Sequence, residues 1–121
     1  DSDLLELIDA ALDGRLQSVS AHWRQDTALG VVLAAGGYPG PYDKGITLSG
    51  PLDRATADVK VFHAGTALSD GEVLSNGGRV LCATALGADL RAAHEGAYAT
   101  LAEIEMPEGF YRRDIGLVRS P

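Results

Sequence analysis

Residues 28–45 read Ala28-Leu29-Gly30-Val31-Val32-Leu33-Ala34-Ala35-Gly36-Gly37-Tyr38-Pro39-Gly40-Pro41-Tyr42-Asp43-Lys44-Gly45, an apolar run that gives way at a glycine pair to a loop. The first half has strand length and ends on a punctuating Gly-Gly. The second half holds too much glycine and proline for a helix or a central strand, so it must be a shaped loop. A strand feeding a long loop sets the frame for the rest of the chain.

Outward from that stretch the signals stay β on the C-terminal side. Short strands are expected at Ile46–Leu48, Val59–His63, Val73–Leu74 and Arg79–Ala85, and Ser69-Asp70-Gly71 is a hairpin turn. Asp89 caps an expected helix running to about Glu105, with Leu90, Ala93, His94, Ala97, Tyr98, Leu101 and Ile104 on one face and Pro107 beyond its end. Phe110 to Gly116 then reads as a last strand or an ordered extension. On the N-terminal side, Asp1 to Asp13 reads as an amphipathic helix with Leu4, Leu5, Leu7, Ile8, Ala11 and Leu12 on its apolar face. Asp3 and Glu6 resemble a capping box, and Gly14 marks the stop. His22 and Trp23 are expected to pack at a junction. The order predicts an α+β fold: a mainly antiparallel sheet with two flanking helices, since few connections are long enough for helical crossovers.

The 121 residues suffice for one domain with a real core. Ten basic against 17 acidic residues leave a net charge of −7, which argues against non-specific nucleic-acid binding. No apolar run is long enough to span a membrane, so no membrane partner is expected. One cysteine rules out an internal disulfide and fits a reducing, cytoplasmic setting. With three scattered histidines beside it, no metal cluster is expected either. The 15 glycines are nearly twice the usual share of roughly 7%. A first residue of Asp1 at a helix start is expected of the middle of a longer chain.

Two glycine-rich segments could receive an anion. In the long loop, Gly36 and Gly37 let backbone approach a ligand and Lys44 could reach its charge. The loop also reads as a plain wide β-connection whose tyrosines pack on the domain, and residue chemistry alone favours that reading. Asn76-Gly77-Gly78-Arg79 offers bare N–H groups beside a guanidinium at a strand start, or equally a hairpin turn with an exposed arginine. No Gly-Lys-Ser/Thr follows, so it is not a P-loop. His63 reads as a packed hydrogen-bonding residue, with no carboxylate near it in sequence. Cys82 reads as core; Tyr111-Arg112-Arg113-Asp114 is compact enough for an anion clamp, but local ion pairs and a structural role are favoured.

The succession is more specific than its parts. Gly36–Gly45, Val61–Thr66, Asn76–Leu81, Thr84–Gly87 and Tyr111–Gly116, in that order, resemble the C-terminal part of the phosphoribosylamine–glycine ligase family (glycinamide ribonucleotide synthetases), ATP-grasp enzymes of purine synthesis. The resemblance covers essentially the whole chain. It departs at Ala35, where a serine is common, and at Cys82, where a glycine is expected. It implies residues 1–26 as the helical end of the ATP-grasp core and its junction, and 27–121 as the C-terminal domain. It implies ligation of glycine to 5-phosphoribosylamine with ATP and Mg²⁺ (or Mn²⁺), whose ligands would lie upstream of this segment. The partner implied is the rest of the ligase chain, and neither catalytic nor metal-binding residues are expected here. Substrate-side residues implied are Gly36, Gly37, Tyr38 and Lys44 in one loop and Gly77, Gly78 and Arg79 in the other, with Arg79 meeting an anionic group. The rival reading is a free-standing small-anion binding or regulatory module without catalysis.

Overall fold

The computed structural model describes residues 1–117. Helix α1 (Leu4–Leu12) is followed by a 3₁₀ turn at Leu16–Ser18 and by strands β1 (Thr27–Ala34), β2 (Thr47–Leu48) and β3 (Val59–His63). Then come β4 (Thr66–Ser69), β5 (Glu72–Ser75), β6 (Arg79–Gly87) and helix α2 (Leu90–Ala102). The α+β class holds and all pairings are antiparallel, but the expected single sheet is divided. One sheet has the order β1-β6-β3 and the other β2-β5-β4.

Strand β4 is absent from the sequence reading because Thr66-Ala67-Leu68-Ser69 has no alternation of apolar and polar residues. Its partner is set by the turn. Asp70 at φ 51° and Gly71 at φ 84° give the two left-handed central residues of a tight hairpin. The large sheet buries one face: Val31, Leu33, Val61, Leu81, Ala83 and Ala85 pack with Ala97 and Leu101 of α2. Small residues on both sides let the helix lie close to the sheet. The other face, with Val32 opposite Cys82 and Cys82 opposite Phe62, carries no helix, and Phe62 is 47% exposed. Cys82 is therefore a half-buried residue of the open face and not of the core.

Asp3 and Asp89 cap the two helices, accepting from the Leu5 and Ala92 N–H groups, both at 2.8 Å; the bond from Glu6 that would complete a capping box is absent among the described residues. Helix α2 stops three residues early because Glu105 leaves it to pair with Ser49, both bonds at 3.0 Å. In α1 only Ala10 is buried, and Leu4, Leu5, Ile8 and Leu12 stay exposed. Its apolar stripe lies away from the core. Trp23 is 81% exposed and not packed. The segment meets the helix start at Ser2 instead: the Ser2 N–H donates to the His22 carbonyl and the Ser2 hydroxyl accepts from the His22 N–H.

Candidate functional site

The site begins with a fault in the strand register. Leu33 faces Leu81 but Ala34 faces Arg79, so Val80 is an extra residue on β6. Such a β-bulge changes which face the following side chains take. Regular alternation would send Arg79 to the same face as buried Leu81. With the bulge, Val80 is fully buried and Arg79 emerges on the open face. The N–H groups of Ala64 and Gly65 both donate to the Val80 carbonyl, at 3.0 and 3.1 Å, and hold the bulge.

Two cavities meet at Arg79. The larger, about 490 Å³, is lined by Val32, Tyr38, Tyr42, Ala64, Gly65, Gly78, Arg79, Leu81 and Cys82. The smaller, about 240 Å³, is lined by Gly30, Val32, Ala34, Tyr38, Arg79, Phe110, Tyr111, Arg112 and Ile115. Val32, Tyr38 and Arg79 belong to both. No carboxylate lines either wall. Arg79 makes no ion pair among the described residues, whereas Arg15, Arg24, Arg54, Arg91 and Arg112 each hold a carboxylate. Asp114 takes two bonds from Arg112, at 2.9 and 2.7 Å, which raises the arginine pKa and commits its charge locally. An uncommitted guanidinium between aromatic walls is the arrangement that recognises a carboxylate or phosphate.

Of the expected site residues, Tyr38, Gly78 and Arg79 come together. The Tyr38 ring lies over Gly78, where a Cβ would strike it. Tyr38 and Tyr42 stand 6.2 Å apart, ring centre to centre. Gly36, Gly37, Gly77 and Lys44 line neither cavity. Their glycines answer to the chain's own backbone. A Cβ at Gly36 would be 2.7 Å from the Glu108 carbonyl oxygen, and one at Gly77 would be 3.1 Å from the Gly65 Cα. Gly37 takes φ 91°. Lys44 is exposed beyond the place where Gly45 and Ile46 are stitched to Ser75, by bonds of 2.7, 2.8 and 3.1 Å.

Three parts differ from the sequence reading. Tyr42 lies four residues beyond Tyr38 in the same loop, a spacing that could have signalled a shared wall. The 110–116 segment reaches the site because Phe110 pairs with Ala34 at 2.8 and 2.9 Å. His63, although exposed, is bonded to the Thr66 hydroxyl at 2.9 Å and has Asp53 at 3.6 Å, a carboxylate ten residues away in sequence. No group of three or more His, Cys, Asp or Glu among the described residues could hold a metal. No helix of the described residues is long and apolar enough to cross a membrane.

Residues 28–118 match the family model described as phosphoribosylglycinamide synthetase, C domain. The chain is 52% identical over 116 residues to a phosphoribosylamine–glycine ligase of Pseudomonas aeruginosa, covering 96% of this chain and 27% of that protein. It is 51% identical to one of Mesorhizobium japonicum, covering 94% and 27%. The crystal structure of the phosphoribosylamine–glycine ligase of Thermotoga maritima matches with a TM-score of 0.72 and 32% identity, over 90% of this chain and 27% of that one. The chain thus spans about a quarter of the length of these relatives.

Proposed function

The chain belongs to the phosphoribosylglycinamide synthetase C-domain family, and from that membership we propose that it serves as the C-terminal part of a ligase joining glycine to 5-phosphoribosylamine with ATP. In this reading residues 27–121 are the C-terminal domain, and its two cavities look towards the substrates. Residues 1–26 are the helical end of the ATP-grasp core and the junction to it. The exposed stripe of Leu4, Leu5, Ile8 and Leu12 would lie against that core, the rest of the ligase being this chain's partner. Such a ligase would work in the cytoplasm, where a lone thiol such as Cys82 stays reduced.

The carrying observation is Arg79, a guanidinium without an ion pair among the described residues, set at the shared wall of both cavities by a β-bulge. Amide ligation of this kind brings two charged substrates into one cleft, so positioning and charge compensation matter more than a protein nucleophile. Arg79 can take two oxygens of a carboxylate or phosphate at once. Tyr38 and Tyr42 form one side of the larger cavity beside that charge. Gly36, Gly37 and Gly77 hold the two loops in place by close backbone approach. The donor set around the cavities is guanidinium, phenol, thiol and backbone, without a carboxylate, and does not fit Mg²⁺, the ion that accompanies ATP. Those would be held by other parts of the ligase.

A free-standing anion-binding module would use the same face, but the matched relatives carry the name of a ligase, which favours the ligase. The test is Arg79→Ala in the full-length ligase. The KM for glycine or for phosphoribosylamine should rise by about 10- to 100-fold, the loss of one charge-assisted contact. The KM for ATP should change far less. An effect confined to ATP would overturn the assignment.

A further inference from the structure

The 110–116 segment crosses the edge of the large sheet at β1 and so touches both of its faces. On the open face, Phe110, Tyr111, Arg112 and Ile115 form the outer wall of the smaller cavity, opposite Arg79. A wall made of irregular chain holds its place only if something fixes it. At one end the fixing is the pair of backbone bonds between Phe110 and Ala34. Beyond Phe110, Tyr111 and Ile115 pack on the core, and one side chain of α2 adds the hydrogen bonds. The Tyr98 hydroxyl donates to the Arg112 carbonyl at 2.6 Å and accepts from the Ile115 N–H at 3.1 Å. One oxygen thereby closes the turn from 112 to 115 and uses both its donor and an acceptor.

The Tyr98 ring is itself held. His94 stacks on it at 4.3 Å between ring centres, and Tyr111 meets it edge-on at 5.9 Å. Tyr98 sits on the helix that packs against the buried face, while the wall it secures serves the open face. We infer that Tyr98 is a positioning residue for the substrate seat that Arg79 shares, acting by clamping the 110–116 segment across the β1 edge. This rests on the substrate-side reading of Arg79. Tyr98 touches no substrate in this scheme; it sets where Tyr111 and Arg112 stand.

Tyr98→Phe in the full-length ligase tests it, because the change removes one oxygen and keeps the ring packing. Loss of both bonds should raise, by about five- to tenfold, the same KM that Arg79→Ala raises, with kcat within about twofold. The double variant should raise that KM by less than the product of the single effects, since both act on one seat. Amide exchange across 110–117 should quicken in Tyr98→Phe. If Arg79→Ala behaves as proposed but Tyr98→Phe lowers only thermal stability, the clamp is merely structural and the inference falls alone. Unchanged exchange in 110–117 would also overturn it. If Arg79→Ala alters only the KM for ATP, the substrate-side reading falls first and this inference with it.

Discussion

Replacing Gly78 by alanine adds one methyl group at the point where the two loops meet. Gly78 is buried and does not require a positive φ, so the backbone itself accepts alanine. The obstacle is the Tyr38 ring. The new Cβ would stand 2.7 Å from Cε2, where ordinary contact begins near 3.4 Å, and closer still to Cδ2. The ring must therefore retreat by at least 3.4 − 2.7 = 0.7 Å at that carbon. Tyr42 Cε1, at 3.1 Å from the same Cβ, blocks an easy escape in its direction. Forced repacking of this kind costs about 1–3 kcal/mol. Urea unfolding of Gly78→Ala, followed by circular dichroism, should give that loss with an unchanged slope. The source of the cost is tested by repeating the substitution in Tyr38→Ala, where no ring remains to be moved. There the cost should shrink to about 0.5 kcal/mol, leaving a coupling of about 0.5–2.5 kcal/mol between the two sites. An equal cost in both backgrounds would refute the claim that the Tyr38 ring lies on Gly78.

Two further tests bear on the scaffold. Leu101, 1% exposed between α2 and the sheet, should lose about 2–5 kcal/mol on change to alanine; Leu12→Ala, at a residue 81% exposed, should stay within about 0.5 kcal/mol in the same unfolding assay. Glu103 takes two bonds from Arg54, at 2.9 and 2.6 Å, which hold its carboxyl below the usual carboxylate range. A depressed folded-state pKa stabilises the fold above the unfolded value, and the gain is lost as pH falls through the folded one. Urea midpoints measured from about pH 6 down to about pH 3 should therefore fall less steeply in Arg54→Met than in the parent. The difference should narrow in high salt, because Glu103 is exposed and Arg54 only partly buried.

Strands Thr27–Ala34, Val59–His63 and Arg79–Gly87 could be read as short apolar runs bounded by glycine or turn residues, and helix α2 from its period of 3.6. The hairpin at Asp70-Gly71 was readable for a different reason: few residue pairs accept two positive φ angles. What the pattern could not supply was pairing. Nothing in Thr66–Ser69 says that it joins a second sheet with Thr47–Leu48, because that depends on partners far along the chain. The apolar period of α1 was equally plain, yet period alone does not say what covers a face, and here Leu4, Leu5, Ile8 and Leu12 are exposed.

The site divides the same way, and the glycines make the point. Their excess suggests bare backbone offered to a ligand, and for Gly78 the structure gives a ring in contact instead. Gly65 and Gly77 approach each other, with a Cβ on Gly65 only 2.8 Å from the Gly77 Cα, so their freedom goes into joining the β3–β4 turn to the start of β6. That junction is where the Val80 bulge is held, and the bulge is what turns Arg79 outward. Glycine therefore acts on the charge at one remove: close backbone packing fixes the bulge, and the bulge selects the face. A sequence reader can find Arg79 beside two glycines and infer an anion site. The reason it works lies in Val80 and Leu81, two successive residues that are both fully buried, which no regular strand with one open face allows.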